Sequence, residues 1–287
     1  MQRQKTFQSD FSKLYLVATP IGNLEDITFR AINTLNSVDY IYAEDTRTSK
    51  KLLNHYKIET KLRSYHLFNE NEVTIEIIKQ IKEGKNIAII SDAGSPSISD
   101  PGWLAVHEAI KANIDVVVIP GVSAVITGLI GSGIFSQNFY FANFLSHKKT
   151  KKQEELLAIS KRLETVIIYE SPHRIVSTLE IINDIMPKRF IVIARELTKI
   201  HEEYLRGTAA MILELAEELK GEMVIIIEGN HEDEENQPLN KLSIQEHFQY
   251  YLNQQITAKD ALKKVSLDRR IPKSEVYQII FGKRQMR

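Results

Sequence analysis

Four short runs in the first half of the chain are apolar at nearly every position: KLYLVAT (13–19), VDYIYAED (38–45), NIAIISDAG (86–94) and DVVVIPG (115–121). A strand with no polar face needs cover on both sides, and a parallel sheet sandwiched between helices provides it. The stretches between them have helical periodicity: DITFRAINTLNS (26–37), NEVTIEIIKQIKEGK (71–85) and WLAVHEAIKAN (103–113). In the second of these Val73, Ile77, Ile78 and Ile81 share one face, and Gly84 stands where a helix C-cap belongs. Strand–helix alternation of this kind predicts a doubly wound α/β domain over residues 12–135.

A second series follows: FYFANFL (139–145), TVIIYES (165–171), RFIVIARE (189–196) and GEMVIIIEG (221–229), separated by helical segments 150–162, 173–185 and 208–219. It predicts a second α/β domain over 136–230, with the joint near GSGIFSQN (131–138). A length of 287 residues agrees with about two domains of ~100–200 residues each. Residues 231–287 form the remainder: an acidic linker, HEDEENQP (231–238), then a tail of two or three small helices broken around DRRIPKS.

Charge is unevenly placed. The formal net charge is +0, yet from Lys241 to Arg287 six Lys and four Arg face only two Asp and two Glu. The tail therefore carries +6 and the body −6. A basic appendage on an acidic body is a surface for a polyanion or, more simply, a solvated helical face. The chain has no cysteine, which rules out a disulfide framework or a thiolate metal site and fits a reducing cytoplasm. MQRQKTFQSDF at the start lacks the apolar core of a secretion signal, and no run approaches the ~20 apolar residues of a membrane span. A soluble, cytoplasmic protein without metal or membrane is expected.

Ligands of open α/β sheets bind beyond the C-terminal ends of the strands. Those ends read TPIGN (19–23), EDTRTS (44–49), SDAGSPSISDPG (91–102) and PGVSA (120–124). Gly22, Gly94 and Gly121 can expose backbone N–H groups, and Pro20, Pro96, Pro101 and Pro120 stiffen the loops. Any α/β domain uses Gly and Pro at strand ends, but four such ends together predict a pocket. No G-x-x-x-x-G-K-[ST] occurs, and no G-x-G-x-x-G follows the first strand, which argues against the commonest nucleotide sites. Asp92, Asp100, Ser95, Ser97 and Ser123 suit a ligand with hydroxyls, an ammonium or sulfonium group and an adenine edge.

The strings LYLVATPIGNLEDITFRA, AEDTRTSKKLL, SDAGSPSISDPG, PGVSA, YESPHRI, ARELTKIHEEYLRGT and GEMVIIIEG, in this order over residues 13–229, resemble the tetrapyrrole methylase superfamily. Within it they are similar to the branch of bacterial 2′-O-ribose methyltransferases that act on a cytidine in the decoding region of small-subunit (16S) ribosomal RNA. The resemblance implies an S-adenosylmethionine enzyme of two α/β domains, with the cofactor in the cleft between them and commonly a homodimer. Carried over by motif, the cofactor contacts are Pro20, Gly22, Asp92, Ala93, Gly94, Ser95, Ile98, Ser123 and Ala124. From the second domain they include Tyr169 and the AREL end, Ala194 to Leu197. Two departures stand out: Val122 in PGVSA, and FANFLSHKK without the Gly and Pro of the family's pattern.

Methyl transfer to a ribose hydroxyl depends on positioning and gains from a general base. Asp100 and Glu44 are the leading candidates, with Asp45, His66, Glu170 and His173 also at strand ends. Arg47, His66, His173, Arg174, Arg195 and Lys199 are candidate contacts to the RNA, the cations among them to phosphates. Each has a structural rival. EDTR can cap a helix, SPHR can start one with Ser171 as cap and Pro172 at its first position, and Arg195 can pair with Glu196. In HLFNENE (66–72), His66 and Phe68 can stack on an extruded base, or the segment can be a loop capped by Asn69 or Asn71. HKKTKK (147–152) and the basic tail would track phosphates. Two other functions compete: a precorrin-type small-molecule methylase, and a non-enzymatic RNA-binding assembly factor.

Overall fold

The computed structural model describes residues 3–5, 11–230, 239, 241–269 and 271–282; the expected acidic linker lies outside the described residues. Its first sheet holds β1 (Leu14–Val17), β2 (Tyr40–Ala43), β3 (Lys61–Ser64), β4 (Ile87–Ile90) and β5 (Val116–Ile119) in the order β3-β2-β4-β1-β5. Every pairing is parallel. Alternate residues feed two separate cores. Val17, Ile41, Ala43, Ala88 and Ile90 pack under α1 (Phe29–Ser37) and α2 (Thr46–His55). Leu14, Leu16, Tyr42, Ile87 and Ile89 pack under α3 (Glu70–Lys82) and α4 (Trp103–Lys111). This two-sided burial is the reason the strands lack a polar face.

The chain runs outward from β1 to β3, then returns through β4 to β5. The loops leaving the neighbours β1 and β4 therefore diverge to opposite faces of the sheet. A crevice opens between them, the topological switch point of an open α/β sheet.

The second sheet is mixed: β6 (Phe139–Phe144), β7 (Thr165–Glu170), β10 (Met223–Ile227), β8 (Ile191–Arg195) and β9 (Glu203–Gly207), in that spatial order. Only β6 and β7 run parallel. One face packs on α6 (Lys149–Ile159), α7 (Ile175–Ile185) and the short α8 (Ala209–Leu213). The other receives α5 (Ala124–Ser132), whose Val125 and Leu129 meet Ile167, Val192, Ala194 and Val224. Thus α5 leaves the first sheet but buries its apolar face on the second, coupling the two layers. Three helices, α9 (Ile244–Asn253), α10 (Ala258–Arg269) and α11 (Lys273–Phe281), close a small core of Phe248, Ala261, Leu262, Val265 and Val276.

Several boundaries differ from the sequence reading. Strands β3 and β9 stand outside both series of apolar runs, because they are edge strands whose pattern is polar or half-buried. The segment 208–219 is not one helix but α8 followed by a 3-10 turn at Ala216–Glu218. The helix after SPHR begins at Ile175, and Ser171 contributes its carbonyl, not its hydroxyl, to the preceding turn.

Candidate active site

The loops after β1 and β4 are zipped together. Thr19 and Gly94 exchange backbone hydrogen bonds of 2.8 and 3.0 Å, and the Thr19 hydroxyl donates to the Ser91 carbonyl at 3.1 Å. Beyond this bridge the chain folds back on itself with Ser97 and Ser99 at φ of 72° and 70°, while Ser97 N–H reaches the Pro101 carbonyl at 3.3 Å. Gly102 ends the loop at φ 144°, and a Cβ there would lie 2.4 Å from Ser97 Oγ. Only glycine lets α4 start so close to the loop.

The second sheet supplies the opposite wall. Its register places Glu170 at the end of β7, Met223 at the start of β10 and Arg195 at the end of β8 in one row. The TPIGN loop meets this wall directly: a Cβ on Gly22 would fall 2.5 Å from Lys199 Cγ and 3.1 Å from the Leu197 carbonyl. Ser99 Oγ donates to Asn143 Oδ1 of β6 at 2.8 Å, closing a second link between the layers.

Between the walls lies a cavity of about 640 Å³. Twelve of the residues expected at a site line it: Glu44, Asp92, Ala93, Gly94, Ser95, Ile98, Asp100, Ser123, Ala124, Tyr169, Glu170 and Leu197. Ile21, Ser99, Phe144, Ser171, Pro172, Gly221, Glu222, Met223 and Val224 also face it, and the sequence reading assigns none of them to the site. The GE of GEMVIIIEG reads in sequence only as a strand start, yet Gly221 at φ 83° sits where a Cβ would strike the Glu196 carboxylate. A glycine at a strand entry is the signal that marks it.

The electrostatics are those of a carboxylate cluster with little cationic compensation. Burial pushes the Asp100 carboxyl up to about 7, with nearby Glu44 and Asp92 adding to the rise. Glu44 and Asp92 are themselves raised, burial first and neighbouring acids second, although the Asp45 amide donates to Asp92 Oδ1 at 3.1 Å. Tyr169, wedged against Phe141 and Phe144 with ring centroids 5.0 and 5.2 Å away, is raised to about 12 by burial and by Asp100.

The remaining expected residues lie beside the cavity and not on its lining. Pro20 is buried behind Ile21, Gly22 is taken up by the packing just described, and Ala194 is fully buried under α5. Arg174 turns inward: Nη2 donates to the Leu145 and Ser146 carbonyls at 2.7 and 3.2 Å, and Nε meets Glu170 Oε1 at 3.2 Å. Arg195 pairs with Glu203 at 2.5 Å, and Lys199 bridges Glu196 and Glu222 at 3.0 and 3.1 Å. Arg47 is solvent-facing but chelated by Asp45, the N-cap of α2, at 2.8 Å. His66 is half-buried at the end of β3, and His173 is exposed. Among the described residues no group of three or more His, Asp or Glu is arranged to hold a metal ion.

A switch-point cavity shared between a parallel and a mixed sheet defines a two-layered α/β ligand-binding protein, and the family profile for Tetrapyrrole (Corrin/Porphyrin) Methylases matches residues 13–213: the chain belongs to this family. Its similar relatives are more particular. It is 48% identical to the Ribosomal RNA small subunit methyltransferase I of Bacillus subtilis (strain 168), over 96% of this chain and 97% of that one. It is 39% identical to the protein of the same name from Synechocystis, over 93% and 96%. Among solved structures, uroporphyrin-III-C-methyltransferase from Thermus thermophilus superposes with a TM-score of 0.56 at 18% identity, covering 76% of this chain and 94% of that one. Diphthine synthase gives 0.59 at 10% identity, covering 75% and 89%. These likenesses carry the fold.

Proposed function

We propose that this protein transfers a methyl group from S-adenosylmethionine to the 2′-hydroxyl of a cytidine in the decoding region of small-subunit ribosomal RNA. The carrying observation is the cavity: of the five carboxylates that line it, Glu170 and Glu222 are paired with Arg174 and Lys199, while Glu44, Asp92 and Asp100 converge with no lysine or arginine on the lining. Such a site favours a cationic ligand over an anionic one. The names of the relatives, 48% and 39% identical over nearly the whole chain, supply the substrate class.

The residues fit the cofactor. Asp92, Ala93, Gly94 and Ser95 offer polar and backbone groups, Ser123 and Ala124 open helix α5, and Ile21, Ile98, Leu197 and Tyr169 give apolar walls. Pro20, Gly22 and Ala194 act one layer back, by fixing the loop that carries Ile21 and the seat of α5. When bound, the cofactor supplies an electrophilic methyl group on a sulfonium. This chain's contribution is alignment, exclusion of water and acceptance of a proton. Asp100, whose carboxyl takes a proton near neutrality, is the proposed base; burial raises its proton affinity and Glu44 adds to the rise.

Residues 12–135 and 136–230 act as the two domains of this site, and the basic tail extends the RNA-binding surface. Work on ribosomal RNA implies a cytoplasmic location, and the family resemblance implies a homodimer. Mapping of 2′-O-methyl groups on 16S RNA from a deletion strain tests the whole reading: one cytidine in the decoding region should lose its methyl group and regain it on complementation. An unchanged methylation map rules the substrate out, and absence of S-adenosylmethionine binding by calorimetry rules out the enzyme.

A further inference from the structure

Helix α4 starts immediately after the Asp100 loop, and its first residue is Trp103, the chain's single tryptophan. The indole is 65% exposed, an unusual state for the largest apolar side chain. It lies flat against His107, one helical turn on, with ring centroids 4.9 Å apart and an interplanar angle of 15°. The stack fixes the ring and leaves its other face to solvent.

A second exposed aromatic stands nearby. Phe68 is 98% exposed and meets His66 edge-on at 6.0 Å. Tyr65, fully buried, joins the two places. Its hydroxyl bonds Thr74 Oγ1 of α3 at 3.1 Å, and its ring packs in the same core as Ala105 of the first turn of α4. The Tyr65 amide donates to the Ala43 carbonyl at 2.8 Å, which sets His66 beside Glu44, so both aromatic pairs flank the carboxylate cavity on the side of the first sheet.

An RNA strand reaching this cavity meets a difficulty. Its phosphates approach Glu44, Asp92 and Asp100, and the cations around the opposite wall are already committed to Glu170, Glu203, Glu196 and Glu222. Uncharged contacts next to the site avoid this repulsion, and unpaired bases offer their faces for stacking. We propose that Trp103, held flat by His107, and Phe68 across the Tyr65 bridge form a stacking platform for the unpaired bases flanking the target nucleotide. The proposal rests on the RNA-methyltransferase reading and deepens it.

Because Trp103 is the only tryptophan, its emission reports on the platform directly. Titration of the full-length protein with oligouridylate should quench it, and an abasic phosphodiester of equal length should not. Trp103→Ala should raise KM for the RNA substrate roughly ten- to a hundredfold. Trp103→Phe should recover most of that loss, and S-adenosylmethionine affinity should stay at the wild-type value in both. Equal quenching by the abasic oligomer overturns the proposal. So does emission that follows protein concentration alone, which would place Trp103 between copies of the chain. A protein that methylates ribosomal RNA while oligouridylate leaves its emission unchanged overturns the platform and spares the function; a protein that binds no S-adenosylmethionine overturns the function on which the platform rests.

Discussion

Ser99 Oγ and Asn143 Oδ1 meet at 2.8 Å, and both residues hold positive φ angles, 70° and 64°. The bond joins the loop after β4 to the irregular stretch of β6, where the register with β7 shifts between Phe141 and Asn143. Asn143 Oδ1 also accepts from the Phe144 amide at 2.8 Å, so the same oxygen orients Phe144 on the cavity wall. Two strained backbones persist because each supports the other.

Ser99→Ala should therefore loosen closure over the cavity while removing only one hydroxyl from its lining. A neutral hydrogen bond contributes about 0.5–1.5 kcal/mol, so dissociation of S-adenosylmethionine should quicken by roughly two- to tenfold. Stopped-flow release of the cofactor measures it. An unchanged rate would show that the bond does not restrain the ligand.

Asp100 dictates a pH dependence. With its carboxyl near 7, turnover should climb as pH rises through neutrality, and Asp100→Asn should abolish that limb along with most activity. Stability should move the other way. An unfolded aspartate releases its proton near ~3.9, so between there and about 7 the native state holds a proton that the unfolded chain does not. Stability then falls as pH rises through this window. Asp100→Asn should melt above wild type at pH 8, and the gap should close below about pH 4. Melting scans across pH, in parallel with initial rates, check both halves.

The strand ends were legible because apolar runs terminating in Gly, Pro, Ser and Asp leave few alternatives. Loops such as 91–102 and 120–124 line the cavity where the switch-point rule puts them. The mixed order of the second sheet was not legible: β7, β8 and β10 are buried on both faces whichever way they run, so apolar patterning carries no direction. The commitments of Arg174, Arg195 and Lys199 were equally hidden, since an arginine facing a carbonyl and one facing solvent read alike in sequence. Glu222, next to Met223 in the row with Glu170, entered the site through tertiary register alone.

The helical tail should bind RNA through charge. Lys259 and Lys263 are exposed one turn apart on α10. For a single strand, each phosphate that is no longer neutralised flattens the slope of log K against log salt by about 0.7. Lys259→Glu with Lys263→Glu should weaken RNA binding at low salt and flatten that slope by roughly 1.5, measured by filter binding across salt concentrations. Wild-type slope in the double variant would detach this face from RNA recognition.

Glu170 is the strongest structural commitment in the site. Its side chain is fully buried; Oε2 accepts from Thr178 Oγ1 at 2.5 Å, Oε1 accepts from the Ser171 amide at 2.9 Å, and Arg174 and Lys152 stand 3.2 and 3.9 Å away. Burial lowers the proton affinity of Lys152, and the Glu170 charge opposes that loss. Removing one partner of a buried ion pair typically costs ~3–5 kcal/mol because the other charge is left uncompensated. Glu170→Ala, which strands two cations, should fall in that range in urea unfolding, whereas Lys152→Met, which leaves Arg174 on Glu170, should cost less. Glu170→Gln separates scaffold from base. A scaffold loses stability, and its turnover falls no further than its folded fraction; a base would lose turnover with the fold intact. Both Glu170 oxygens are engaged by the protein, so the scaffold outcome is expected, leaving proton transfer to Asp100.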